Sequence, residues 1–198
     1  MAKNPILVGD NQQISPFDLN MSDDALVTFG APVGPGALSF LDVGYMPVNE
    51  FTIGGSLQDL KGNLDGLFVH YSATGVQHFD AASGAPTTAD YKTLQYEIMG
   101  YKGDATFGHA ANGTPTLSGA KHLTVLAQGD LIAGYLGFNA AGGITGAVST
   151  SMRIDGQVVG TLDFSVQHAF TDIGHTITGG LTLDSGTLHA TFVPQSVG

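Results

Sequence analysis

The chain has 198 residues, no cysteine, and six basic against 17 acidic residues, which gives a formal net charge of −11. This length is enough to bury a core in one domain with an extension. The negative charge disfavours nucleic acid and anionic membranes as partners, because both repel an acidic surface. The absence of cysteine excludes disulfides, thiolate metal sites and cysteine nucleophiles.

The composition also indicates where the protein works. Few basic residues together with 29 glycines are typical of secreted and surface β-proteins of bacteria. The first ten residues lack the apolar segment of about 7 to 15 residues found in signal peptides. We therefore expect either export without a cleaved leader or a replaced leader, with a resident intracellular or viral protein as the third option. No apolar run reaches the roughly 18 residues that span a bilayer, so we expect no membrane insertion.

Proline sets the first fifty residues apart from the rest of the chain. Five of the eight prolines lie there: Pro5, Pro16, Pro32, Pro35 and Pro47. Because proline cannot donate to a strand ladder, it favours edge strands. We predict an extended arm with edge strands over residues 1–50 and an antiparallel β domain over residues 51–198. Alternatively, the arm adds a strand to a neighbouring copy and builds a filament or lattice.

Evidence for helix is confined to one segment. Leucines at positions 57, 60, 64 and 67 have helical spacing, and Ser56 could cap a helix there. Gly62 and Gly66 oppose a long helix. We predict one short helix or an irregular loop.

The next segment, FVHYSATGVQHF, contains the candidate ligand-binding residues His70, Tyr71 and His78. Imidazole and phenolate both ligate iron, so the three side chains could hold haem or a divalent metal ion. This requires a hairpin that turns near Gly75 and places Tyr71 opposite His78. The tyrosine and histidines resemble the haem ligands of secreted haemophores, although the spacing differs. We favour the interpretation that these three are ordinary residues of a β-sheet and bind no cofactor.

Further along, apolar and polar residues alternate, which is typical of half-buried strands. Leu94, Tyr96 and Ile98 alternate with polar neighbours. Residues 123–127 continue this alternation, and we predict a turn at Gln-Gly-Asp, residues 128–130, before another strand over residues 131–138.

The stretch SMRIDGQVVGTLDF, residues 151–164, predicts a hairpin around Asp-Gly. A two-residue turn would pair Ser149 with Leu162, and so would place polar residues opposite apolar ones. A three-residue loop over residues 154–156 pairs Val148 with Leu162 and Met152 with Val158, which gives one apolar face. We therefore predict the three-residue loop.

The last strands complete the prediction of the fold. We expect a strand over residues 175–183, a turn at residues 184–186, and a strand in which Leu188, Ala190 and Phe192 share one face. Short strands separated by turns predict an all-β antiparallel sandwich or barrel, jelly-roll-like, with at most one short helix.

Other polar residues give weaker indications of chemistry. A metal site of His168, His175 and His189 is a minor possibility, and acidic turns could bind calcium, although turn formation explains them better. Asp23 and Asp24 are adjacent, so they do not face each other as an acid and a base would. The sequence has none of the common catalytic motifs, so we predict that the protein is not an enzyme.

The final stretch GGLTLDSGTLHATFVPQSVG resembles the end of exported bacterial β-rich proteins of the PEP-CTERM type, although Gln195 follows Pro194 where that motif has Glu-Pro. The resemblance implies an extracellular or surface-matrix protein without known catalysis. We therefore expect a self-assembling, non-enzymatic subunit of a surface, matrix or filament at the cell surface or outside the cell. The alternatives are a secreted protein that binds a small ligand, namely haem or a metal, and a virion decoration protein.

Overall fold

The computed structural model describes residues 4–7, 14–60, 64–138, 144–166, 172–177 and 180–195. These ranges contain twelve strands and no helix, and so no helix that could cross a membrane. The strands are β1 (Phe17–Gly34), β2 (Ala37–Ile53), β3 (Ser56–Leu57), β4 (Gly66–Phe79), β5 (Pro86–Lys102), β6 (Thr106–His109), β7 (Pro115–Ser118), β8 (Lys121–Phe138), β9 (Ile144–Ile154), β10 (Gln157–Val166), β11 (Asp172–Ile177) and β12 (Gly180–Pro194). The predicted all-β fold is confirmed.

Eight of these strands close into an antiparallel ring. The order is β1-β12-β10-β9-β8-β5-β4-β2, and β2 returns to β1. The ring follows the order of the chain, so of the predicted architectures it is a barrel with up-and-down connections, and not a jelly roll. A barrel of eight strands has an interior just wide enough to be filled by side chains or to hold one small ligand.

The strands within residues 1–50 are not on an edge, contrary to the prediction. β1 pairs with β2 on one side and, from Phe17 to Thr28, with β12 on the other. Pro32 and Pro35 lie beyond this doubly paired part of β1, near the turn to β2. Pro47 lies in a stretch where the β1–β2 ladder has a gap. The ring tolerates these prolines because each lacks a regular ladder partner on at least one side.

The Asp-Gly hairpin begins with the two-residue turn that the sequence argument rejected. Ile154 pairs with Gln157 across the turn, and the two residues between them, Asp155 and Gly156, have φ values of 50° and 78°. Positive φ at both central residues defines a type I′ turn, which matches the twist of the flanking strands. The predicted three-residue loop is therefore wrong.

A bulge after the turn restores the apolar face. The register shifts by one residue between Val158 and Gly160, and beyond the shift Phe164 pairs with Val148. Leu162 and Phe164 are buried, as the alternation predicted, whereas Val158 is 47% exposed. The sequence argument assumed one register throughout the hairpin, and the bulge allows two.

Two further turn signals lie inside strands. The predicted turn at residues 184–186 is wrong, because β12 continues through them and places Ser185 and Gly186 opposite Asp23 as a bulge. The predicted strand over residues 175–183 is divided between two strands, because β11 ends at Ile177 and β12 begins at Gly180, and residues 178–179 lie outside the described ranges. The predicted faces of the last strand are confirmed, since Leu188, Ala190 and Phe192 are buried.

The predicted turn at residues 128–130 is also wrong, because they lie within β8. Gly129 is needed for close packing instead, since a Cβ atom there would clash with Cε1 of Tyr96. The alternation predicted for residues 123–127 fails in part, because Leu123 and Val125 are about half exposed. The predicted helical segment has no helix in its described residues, and Leu64 is buried against Gly100.

One end of the ring is filled by aromatic and aliphatic side chains. Phe17 stacks on Phe192 with ring centroids 4.9 Å apart and meets Phe51 edge-on at 5.5 Å. Ile6, from the segment before β1, is 1% exposed. This segment is anchored by Nδ2 of Asn4, which donates to the carbonyl oxygen of Leu126 at 2.9 Å. This end of the barrel is therefore closed by packing.

Candidate functional site

The other half of the ring encloses a cavity of about 90 Å³. Its lining is mostly apolar and comes from all eight strands of the ring, with Val27, Phe40, Ala89, Leu136, Val148 and Phe164 among the apolar residues. Protein interiors are normally packed at the density of organic crystals, with few voids larger than a water molecule. The cavity therefore departs from the close packing seen around Phe17 at the other end of the ring.

Two carboxylates and two phenols form a polar cluster on the cavity wall. The hydroxyl of Tyr71 lies 3.1 Å from Oδ1 of Asp42 and 3.2 Å from Oδ1 of Asp23. The hydroxyl of Tyr91 donates to Oδ2 of Asp42 at 3.4 Å. We call these four residues the acid–tyrosine cluster. Each comes from a different strand, namely β1, β2, β4 and β5, so the ring assembles the cluster.

The alternation of β2 explains how a carboxylate reaches the interior. Phe40, Asp42 and Met46 all line the cavity and are spaced by even numbers of residues, which places them on one face of the strand. Gly44 lies on the same face, and a Cβ atom there would be 2.8 Å from Cε1 of Tyr71. The glycine therefore leaves the space in which the tyrosine ring lies between the two carboxylates.

Burial controls the protonation of the cluster. Desolvation raises the pKa of Asp42 to about 6, although hydrogen bonds from Tyr71 and Tyr91 oppose the shift. Desolvation, followed by the charge of Asp42, raises the pKa of Asp23 well above its ordinary value. Desolvation and the same carboxylates also raise the pKa values of the two tyrosines, so both remain neutral phenols. The cluster thus retains a proton more strongly than two exposed carboxylates would.

Gln77 adds an amide to the cavity wall. This residue is 5% exposed, and its Nε2 donates to the carbonyl oxygens of His78 and Thr88, both at 2.9 Å. Within the described residues, no hydrogen bond reaches its Oε1. Since both N–H groups are used by the backbone, the amide is fixed and its oxygen is the atom left to bind another group.

A hairpin outside the ring covers the outer face behind the cluster. Phe107, on β6, packs against Tyr45 and Phe68 with centroids 6.1 and 5.5 Å apart. Nε2 of His109 lies 2.8 Å from Oδ1 of Asp24. Asp24 therefore faces the hairpin whereas Asp23 faces the cavity, in agreement with the expectation that the two carboxylates do not face each other.

The structure brings only one of the predicted ligand-binding residues to the cavity. β4 is a single strand, so the hairpin near Gly75 that such a ligand site would require does not form. Tyr71 belongs to the acid–tyrosine cluster, whereas His70 stacks on Tyr45 at 5.1 Å on the outer face. His78 lies seven residues beyond Tyr71 on the same strand, roughly 23 Å away at about 3.3 Å per residue. Its Nε2 is 3.2 Å from Oδ2 of Asp90. His70, Tyr71 and His78 therefore do not form one site.

The predicted metal sites have no support in the described part of the chain. There, no group of three or more His, Asp or Glu side chains is arranged to hold a metal ion. His168 and the side chain of His175 lie outside what the structure describes, so the minor metal site that includes them and His189 stays a prediction.

Sequence reasoning missed Asp23, Asp42, Gln77 and Tyr91. A usable signal was present in SFLDVGYM, where an aspartate occupies the same face as Phe40 and Met46. An acidic residue at an inward position of an apolar strand is rarely explained by packing, because burying a charge is costly. The convergence of the four residues could not be predicted, since it depends on strands that are distant in sequence.

Substitution of Gly44 by alanine should disturb the cluster. The new methyl group would lie 2.8 Å from Cε1 of Tyr71 and from the carbonyl oxygen of Asp24, so the ring or the backbone must move. We expect a loss of about 1–3 kcal/mol in the free energy of unfolding, measured by urea denaturation. The control is Gly108→Ala on β6, where a Cβ atom meets nothing within 4 Å. Equal effects of the two substitutions would contradict the packing role of Gly44.

Comparison with known protein families, with curated proteins and with solved structures gives no match for this chain. The candidate site therefore rests on the geometry of the acid–tyrosine cluster and the cavity beside it.

Proposed function

We propose that the protein binds a small molecule inside the ring of strands, in contact with the acid–tyrosine cluster. The supporting observation is the cavity of about 90 Å³ with the carboxylates of Asp23 and Asp42 on its wall. Ligand sites are typically concave and mostly apolar, with a few polar groups that orient the ligand and titratable groups whose pKa values are shifted. The lining of this cavity has these properties.

Stability alone does not account for the site. A void forfeits the contacts that its lining atoms would otherwise make. Burial also disfavours the charged forms of Asp23 and Asp42, which is why their pKa values are raised. The opposite half of the same barrel, around Phe17, shows that this fold can be filled with apolar side chains. A bound ligand would both fill the void and bring the carboxylates further hydrogen bonds.

The size of the cavity limits the ligand. An engineered protein cavity of about 150 Å³ binds benzene. By proportion, a cavity of about 90 Å³ has room for roughly four non-hydrogen atoms, so it should hold a molecule of this size or the end of one with up to about six. A porphyrin is far larger, so the geometry favours a small organic ligand over the haem named among the alternatives.

Self-assembly remains a separate prediction for this protein. Strand addition requires unpaired backbone groups along a strand. Residues Phe17 to Thr28 of β1 are paired on both sides, so assembly by the predicted arm would have to use other parts of the chain. The surface, matrix, filament and virion roles, the extracellular location and the absence of catalysis all stay predictions.

A cavity-filling substitution tests the proposed function. Ala89 is 4% exposed and lines the cavity, so Ala89→Leu should occupy much of the free space. We expect a panel of molecules with four to six non-hydrogen atoms to include ligands that cause saturable shifts in amide NMR spectra of the unaltered protein. The same ligands should cause none in Ala89→Leu.

The matched control is Val158→Leu, because Val158 is 47% exposed on the outer face. This variant should bind the ligands as the unaltered protein does, and the dispersion of the NMR spectra shows that each variant is folded. Absence of saturable shifts across the panel, or equal binding by Ala89→Leu, would contradict binding in the cavity.

A further inference from the structure

We propose that the ligand is a small primary amine, bound as its ammonium ion with the nitrogen at Asp23 and Asp42 and the alkyl group in the apolar part of the cavity. This inference rests on the proposed function and specifies the chemical class of the ligand. It follows from hydrogen bonding, charge and shape, each of which selects the same class.

The hydrogen-bond donors on the cavity wall are already used. The Tyr71 hydroxyl has one hydrogen and lies within bonding distance of both carboxylates, and the Tyr91 hydroxyl donates to Asp42. The amide nitrogen of Gln77 donates to two backbone carbonyls. When both aspartates are ionised, the remaining capacity consists of acceptors, namely carboxylate lone pairs and Oε1 of Gln77. A ligand that complements this wall must bring donors.

Gln77 supports a ligand with hydrogen-bond donors independently of the carboxylates. The residue is 5% exposed, and none of the hydrogen bonds among the described residues reaches its Oε1. Because Gln77 lines the cavity, a donor on a ligand could bind this acceptor. Both the amide oxygen and the carboxylates thus favour a ligand rich in N–H groups.

The negative charge of the cavity wall restricts the class of ligand further. Among the described residues that line the cavity there is no lysine or arginine, so no protein cation neutralises Asp23 and Asp42 there. An ammonium ion provides a positive charge and three N–H donors in one compact group. Hydrogen bonds between ionised partners are roughly twice as strong as neutral ones. A carboxylate ligand would be repelled, and an alcohol would bring one donor and no charge.

The apolar lining of the cavity favours an alkyl group as the rest of the ligand. Val27, Leu136 and Val148 belong to the same cavity wall and offer no polar side-chain atoms. A nitrogen with three to five carbons matches the expected four to six non-hydrogen atoms. Butylamine is therefore a suitable probe, and 1-butanol and butyrate are the neutral and anionic molecules of similar length.

The test is calorimetric or NMR titration of the full chain at pH 8 with these three probes at fixed ionic strength. We expect butylamine to bind at least tenfold more tightly than 1-butanol, and butyrate to bind most weakly. Asp42→Asn should weaken butylamine binding at least tenfold and change the binding of 1-butanol by less than threefold. Asp23→Asn provides a second variant with the same expected result.

The matched control is Asp18→Asn, because Asp18 is exposed and lies on the same strand as Asp23. The substitution removes one negative charge without altering the cavity. It should leave butylamine binding unchanged. Equal affinity for butylamine and 1-butanol, or tightest binding of butyrate, would overturn the amine inference while leaving the proposed function in place. Loss of butylamine binding in Asp18→Asn to the same extent would show attraction by overall charge and would also overturn the inference. Failure of all ligands, including the panel tested with Ala89→Leu, would overturn the proposed function itself.

Discussion

Replacement of Asp42 by asparagine should stabilise the protein at pH 8 by about 3 kcal/mol and should reduce the fall in stability between pH 4 and pH 8. Asparagine is close to aspartate in size but carries no charge, so it avoids the cost of burying a carboxylate. The pKa of Asp42 is raised from 3.8 to about 6 in the folded protein, and each unit corresponds to about 1.36 kcal/mol.

The direction of the pH effect follows from proton binding. Between the unfolded and folded pKa values, the folded protein holds a proton on Asp42 that the unfolded chain has released. Stability therefore falls as the pH rises through this range. The contribution of Asp42 is fully present below about pH 4 and is lost above about pH 6. Exposed carboxylates with lowered pKa values, such as Asp65 and Asp80, act in the opposite direction.

Urea denaturation at several pH values measures this effect as a difference between the variant and the unaltered protein, in which the contributions of the exposed carboxylates cancel. Asp18→Asn is the control, and its stability should follow that of the unaltered protein at every pH. Some pH dependence should remain in Asp42→Asn because Asp23 is still present, with a lower pKa once the neighbouring charge is removed. If the stability of Asp42→Asn fell between pH 4 and pH 8 by the same amount as that of the unaltered protein, this result would contradict the burial of this charge.

Substitution of Phe192 by alanine should lower the free energy of unfolding by about 3–5 kcal/mol, the range typical of large aromatic residues deleted from a core. Phe192 is 1% exposed and stacks on Phe17, its partner in the ladder between the last and first strands of the ring. Loss of the side chain removes this contact and leaves a cavity next to Gly160, where the phenylalanine ring now approaches the backbone.

The neighbouring Val193 gives the matched control, because it is 49% exposed on the other face of the same strand. Val193→Ala should change the free energy of unfolding by less than about 0.5 kcal/mol. Urea denaturation at constant pH measures both variants, and a double substitution with Phe17→Ala gives the coupling between the stacked rings. A loss below about 1 kcal/mol for Phe192→Ala would show that ring closure does not depend on this contact.

The acid–tyrosine cluster was only partly accessible from the sequence. The sequence singled out Tyr71, but as the partner of His78, which lies on the opposite face of β4. Asp42 carried a local signal in its strand, whereas Tyr91 and Asp23 had none that pointed to a shared site. Proximity of these groups is created by ladders between strands, and the hydrogen-bonded side chains of the cluster are up to 49 positions apart in the sequence.

The sequence by itself determined that the chain is antiparallel β and which side chains face inward in its regular strands. Alternation with a period of two residues is a property of the extended backbone, so it can be observed locally, as for Leu188, Ala190 and Phe192. The tertiary structure decided the registers and the closure of the ring. In isolation, Asp-Ser-Gly and Gln-Gly-Asp favour turns. Pairing along β12 instead places Asp-Ser-Gly at a bulge, and pairing along β8 places the glycine of Gln-Gly-Asp in close contact with Tyr96. These outcomes, and the cavity with its carboxylates, depend on contacts between residues far apart in the chain, because closing a ring requires each strand to fit two neighbours at once.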